Sequence, residues 1–127
     1  GNDFFSGEKV ISDNLLKKNS YYIINIWASW CIPCRAEHSF LMALNNKNLN
    51  LLGINYKDNI SNAQSFLNEL GNPYSKILSD KNGVTSIELG AYGVPETFIV
   101  NKEKKIIKKI IGPIDNEKFN EILELIK

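Results

Sequence analysis

Tyr21-Tyr22-Ile23-Ile24-Asn25-Ile26-Trp27-Ala28 is nearly continuous in apolar and aromatic side chains, and Ser29-Trp30-Cys31-Ile32-Pro33-Cys34 follows it directly. A run of this kind reads as a central strand covered on both faces. From Cys34 to about Leu44 the pattern turns helical, with Phe40, Leu41 and Leu44 available for one face. A buried strand, two cysteines and a helix start therefore coincide.

The chain has 127 residues, enough for one domain with a real hydrophobic core, and only two cysteines. A disulfide framework for a secreted mini-domain needs more bridges closing longer loops. A structural metal site needs about four ligands, and the chain offers Cys31, Cys34 and its single histidine, His38. The pair leans toward redox chemistry. With 15 basic and 14 acidic side chains, the net charge of +1 gives no field that argues for nucleic acid. Lys102, Lys104, Lys105, Lys108 and Lys109 gather near the end, as expected of a solvated strand or hairpin edge. The Tyr21–Ala28 run is far too short to span a bilayer, and the first residues do not read as a leader.

Outward from the cysteines, Phe4 to Val10 suggests a short hairpin, and Ser12 a capped helical turn carrying Leu15 and Leu16. Leu49 to Tyr56 is a second strand. Ser61 starts the next helix with Gln64 as its capping-box partner, Ala63, Phe66, Leu67 and Leu70 form its buried stripe, and Gly71 stops it. Tyr74 to Leu78 is a short extended or irregular piece, and Gly83 to Leu89 a short helix. Thr97–Val100 and Lys105–Ile111 are strands joined so closely that they must be antiparallel. Asp115 caps a last helix whose Phe119, Ile122, Leu123 and Ile126 recur at helical spacing. The order predicts an α/β fold: one mixed sheet with helices on both faces.

With Cys31 between a buried strand and a helix, its sulfur meets unsatisfied N–H groups and the positive end of the helix dipole, which favour thiolate. Cys34 lies one turn on, on the same side, placed to attack a mixed disulfide formed at Cys31. Cys31 is thus the expected nucleophile and Cys34 the resolving thiol. Pro33 stiffens the first turn at little cost. Trp30 is expected beside the nucleophile as a lid or docking surface. Asn25, six residues before Cys31, falls in the buried strand and needs polar partners there. Asn25 cannot titrate; Glu96, beside Pro95, is a candidate substitute acid for moving protons near the thiols, the alternative being a surface glutamate that steers substrate. His38 is expected to serve helix packing or to face solvent, and Arg35 and Glu37 to shape docking or simply face water.

The run Trp27 to His38 strongly resembles the active-site segment of the CcmG/DsbE proteins, thioredoxin-like reductases of bacterial cytochrome c maturation. Gly90-Ala91-Tyr92-Gly93-Val94-Pro95-Glu96-Thr97-Phe98 resembles their second signature. Gly53-Ile54-Asn55-Tyr56-Lys57-Asp58 and Gly71-Asn72-Pro73-Tyr74 look like their central segment, and Gly112-Pro113 fits their last turn. The likeness runs from Tyr21 to Lys127. Ser39 departs from it, standing where the family often has proline.

The resemblance implies a single thioredoxin-like domain over residues 1–127, the soluble part of a longer protein tethered by an N-terminal anchor at the periplasmic face of the inner membrane. It implies a cis proline at Val94-Pro95 that exposes backbone groups to an extended substrate. Tyr56 and Asp58 would line the groove near the thiols, and Glu96 would modulate the site. The work implied is to keep the heme-binding cysteines of apocytochrome c reduced, directly or through a maturation partner. A membrane thiol–disulfide transporter of the DsbD or CcdA type would supply the electrons. No phosphate-cradling glycine motif points to an organic cofactor, and no metal is expected. A general periplasmic thiol reductase is the nearest alternative. An oxidase, a thiol peroxidase and a copper-binding module on Cys31, Cys34 and His38 are further ones; spacing alone does not encode the redox direction.

Overall fold

The structure, a computed structural model, describes residues 20–47 and 49–126. The hairpin and helical turn expected before Tyr21 lie outside the described residues. Strand β1 (Tyr22–Trp27) is followed by helix α1 (Ile32–Asn45), β2 (Asn50–Tyr56), α2 (Ile60–Leu70), β3 (Lys76–Asp80), α3 (Val84–Leu89), β4 (Glu96–Val100), β5 (Ile106–Ile111) and α4 (Asn116–Leu125). The sheet order is β3-β2-β1-β4-β5, with β1, β2 and β3 mutually parallel and β4 and β5 antiparallel. This is the expected α/β, thioredoxin-like mixed sheet.

All six residues of β1 are buried, which explains its unbroken apolar sequence. Alternation sends Ile23 and Trp27 to one face and Tyr22, Ile24 and Ile26 to the other. The first face packs on Leu41 and Leu44 of α1, Phe66 of α2 and Ile122 of α4; the second packs on Leu89 of α3. The two crossovers step the same way along the sheet, and a right-handed connection then puts α1 and α2 on one face.

Two sequence expectations shift. Helix α2 is capped by Asn59, whose side chain accepts from Asn62 N at 3.1 Å, so Ser61 sits inside the first turn rather than opening it. Asn is as good a cap as Ser, and the earlier one wins. The piece expected as extended or irregular at Tyr74–Leu78 is a regular parallel strand ending at Asp80. As an edge strand it is largely exposed and carries no clean alternation. The Asp80 carboxylate caps α3, accepting from Thr85 N, Ser86 N and Ser86 Oγ at 3.2, 2.8 and 2.6 Å. The remaining elements fall where expected, including the Asp115 cap, which accepts from Lys118 N at 2.9 Å.

Gly53 matters to the site. A Cβ there would lie 2.8 Å from the Tyr74 ring and 2.9 Å from Trp27 Nε1. Its bare backbone lets Tyr74 stack on Trp27, with ring centroids 5.5 Å apart and planes inclined by 16°.

Candidate active site

Cys31 is the N-cap of α1, in extended backbone conformation, and its Sγ accepts from Cys34 N at 3.2 Å. The two cysteines form a disulfide, with Cα atoms 5.3 Å apart. Cys31 keeps 4% of its surface exposed and Cys34 only 1%. Cys31 is thus the less buried of the two, and it stands at a helix N-terminus that favours thiolate. Pro33 occupies the first turn, where its missing N–H costs little.

The loop leading to Cys31 is held from β2. Asp58 accepts from Ser29 N at 2.7 Å, Ser29 Oγ at 2.8 Å, Asn55 Nδ2 at 3.0 Å and Asn59 N at 2.8 Å. Partial burial pushes its carboxyl pKa up, but these hydrogen bonds outweigh that and hold it below the usual value. Trp30 Nε1 donates to Lys57 O at 3.0 Å, and its ring leans on Tyr56 at 6.5 Å. Asp58 and Tyr56 therefore brace the active-site loop. Trp30 stays 56% and Ile32 79% exposed, an apolar rim beside the disulfide.

On the other side, β4 pairs Glu96 with Ile26, so Val94 and Pro95 continue toward the end of β1 that leads into the cysteines. The Val94–Pro95 peptide is cis, and Val94 packs against the cluster containing Cys31 and Cys34. Glu96 is buried, and its Oε2 accepts from Tyr92 N at 2.7 Å and Gly93 N at 2.9 Å. Lys109 Nζ stands 3.6 Å from Glu96 Oε1, donates to Gly90 O, and lies 4.3 Å from the centroid of the exposed Tyr92 ring. The Glu96 carboxylate thus braces the loop that presents Val94 and Pro95.

The acid that meets Asn25 is Glu37, expected to face water but fully buried. Asn25 Nδ2 donates to Glu37 Oε2 at 2.9 Å, and Ile114 N donates to Glu37 Oε1 at 3.1 Å. Burial pushes the Glu37 carboxyl up to about 7, against the pull of these two donors. Glu37 lies three residues after Cys34, a helical separation that brings Cβ atoms within about 5–6 Å. A group titrating near neutrality one turn from the resolving cysteine can take up and return its proton. The sequence carried the signal: residues 34, 37, 38, 41 and 44 are the buried face of α1, at helical spacing. His38 belongs to that face too. Its Nε2 donates to Gly71 O at 2.8 Å, its ring meets Phe66 edge-on, and burial lowers its pKa.

A redoxin family model matches residues 7–126. The chain belongs to the redoxin family. Among relatives, it is 45% identical over 105 residues to the thiol:disulfide interchange protein CycY of Rhizobium leguminosarum bv. viciae, covering 82% of this chain and 56% of that protein. It is 37% identical over 110 residues to HelX of Rhodobacter capsulatus, covering 87% of this chain and 62% of the relative, and 38% identical over 111 residues to DsbE of Vibrio cholerae, covering 87% and 60%. This redoxin thus spans about three fifths of the length of those relatives. The CcmG/DsbE resemblance read from the sequence holds. The crystal structure of StoA from Bacillus subtilis superposes with a TM-score of 0.66 at 28% identity, covering 84% of each chain. MTB dsbF matches in fold, with a TM-score of 0.73 at 16% identity, covering 87% of this redoxin and 83% of that chain.

Proposed function

We propose that this redoxin is the catalytic part of a periplasmic thiol–disulfide reductant that keeps the heme-binding cysteines of apocytochrome c reduced. The observation that carries the reading is the asymmetry of the pair. Cys31 sits at the helix N-cap and is the less buried of the two, and Cys34 lies deeper, one turn from buried Glu37.

In the reduced protein the Cys31 thiolate attacks one sulfur of the substrate disulfide. A Cys31–substrate S–S bond forms, the substrate disulfide breaks, and the first substrate thiolate leaves. Cys34 then yields its S–H proton to the Glu37 carboxylate and attacks Cys31 Sγ. The mixed disulfide breaks, the second substrate thiolate leaves, and the Cys31–Cys34 disulfide is the product. Two electrons pass from protein to substrate. The backbone around Val94 and Pro95, with Trp30 and Ile32 as the facing rim, offers an extended peptide a docking edge. A membrane transporter of the DsbD or CcdA type then returns two electrons. The resemblance supports a tether at the periplasmic face of the inner membrane. No described helix is long and apolar enough to cross a membrane.

The test is the equilibrium reduction potential of the Cys31–Cys34 pair, with an oxidised apocytochrome c peptide as the competing couple. A value near or below about −270 mV with selective reduction of the peptide is expected. A value near the roughly −120 mV of a strong oxidant reverses the direction. Equal rates on unrelated disulfides turn the reading into a general reductase.

A further inference from the structure

Asn25 is a carboxamide with one acceptor and two donors, buried with no exposed surface, and all three positions are used. Nδ2 donates to Glu37 Oε2 at 2.9 Å and to Thr97 Oγ1 at 3.1 Å, while Oδ1 accepts from Tyr74 OH at 2.7 Å. A carboxamide can sit in such a nest in two orientations, differing by half a turn. In the observed one, the NH₂ faces the carboxylate. In the other, the C=O faces it, which suits only a protonated Glu37.

We propose that Tyr74 is a positioning residue for thiol–disulfide exchange: its hydroxyl locks the Asn25 carboxamide with the NH₂ toward Glu37, keeping that carboxyl available as a proton acceptor. Turning the amide over would set Nδ2 against the Tyr74 oxygen and take away the acceptor of the phenolic hydrogen. An unsatisfied polar group in a dry core is costly, so the turned state is disfavoured. Burial, and then the nearby Glu37 charge, raise the Tyr74 pKa well above its ordinary value, so the hydroxyl keeps its proton and stays a donor. The ring is fixed independently, by its stack on Trp27 and the absence of a Cβ at Gly53. The groups that meet Glu37 are Asn25 of β1 backed by Thr97 of β4, Tyr74 through Asn25, and the Ile114 N–H, while Cys34 stands three residues earlier on the same buried face of its own helix. Asn25 transmits position rather than charge.

The inference rests on Glu37 as the proton acceptor, and the experiment separates the two. Tyr74→Phe keeps the ring and removes the hydroxyl. The Glu37 carboxyl is titrated by carbon-13 NMR in the disulfide form, and reduction of a model disulfide peptide is timed from pH 5 to 9. Tyr74→Phe is expected to move the Glu37 midpoint above its starting value and to slow exchange about three- to tenfold near pH 6, converging with the parent at high pH. Site-specific 3-fluorotyrosine at position 74, a stronger donor, is expected to move the midpoint the other way, and it decides the matter where the Phe variant fails to fold. An unchanged Glu37 midpoint in both overturns the positioning role. So does an equal slowing by Tyr74→Phe in a Glu37→Gln background. A shifted midpoint with Glu37→Gln exchanging at the parental rate keeps the positioning and removes the proton-acceptor role.

Discussion

Asp58 grips Ser29 with both carboxylate oxygens, one on the backbone N–H at 2.7 Å and the other on the hydroxyl at 2.8 Å. The end of β2 thereby fixes the loop that delivers Cys31. Asp58→Ala is expected to cost about 1 kcal/mol or somewhat more, read from urea midpoints, because partly buried donors lose their acceptor. A carboxyl held below its ordinary value contributes stability above its unfolded pKa, about 3.9, and loses it as pH falls through the folded value. The parent should therefore show an acid-side loss that Asp58→Ala lacks.

Glu37 predicts the opposite slope. Its carboxyl reaches about 7 in the fold. The unfolded value is about 4.3. Between these the folded chain keeps a proton that the unfolded chain has released, so stability falls as pH rises through the window, by about 4 kcal/mol in all. Glu37→Gln should flatten that slope. Denaturation at pH 5 and pH 8 measures it, and parallel slopes in parent and variant would refute the assignment.

The two thiols should react unequally. In the reduced protein Cys31 is expected to be alkylated first, with Cys34 protected by burial. Cys34→Ser should accumulate a mixed disulfide with a substrate peptide on a gel, and Cys31→Ser should not. Trapping by Cys31→Ser instead would exchange the roles.

Glu96 divides two readings. As a loop brace held by Tyr92 N, Gly93 N and Lys109, its change to Gln should weaken peptide binding several-fold and leave the pH profile of exchange in place. A displaced profile with unchanged binding would return it to the role of acid expected from the sequence.

Gly53→Ala places a methyl 2.8 Å from the Tyr74 ring. The overpacking should cost about 1–3 kcal/mol. If the Tyr74 geometry governs the acid, the Glu37 titration should move with it, and the same NMR experiment reads both.

Where physics is local, the sequence could be read. The β1 run, the cysteine pair at a helix start and the Asp115 cap each declare themselves within a few residues. Strand β3 hid because an edge strand with Lys76 and Ser79 shows neither a run nor an alternation. Asn59 hid because two good capping residues stand two apart. Glu37 hid for another reason: a glutamate in a helix reads as a wet face unless the 34-37-41-44 spacing is weighed above its polarity. Its partners Asn25 and Ile114 lie 12 and 77 positions away, beyond any local pattern.

That last separation bears on synthesis. The Ile114 N–H closes the cage around an acid belonging to the first helix after the cysteines. A ribosome delivers those cysteines long before it delivers residue 114, and until that segment has docked the Glu37 carboxyl lacks one of its two donors. The environment of that acid is therefore completed late, by a segment far along the chain from the cysteines it serves.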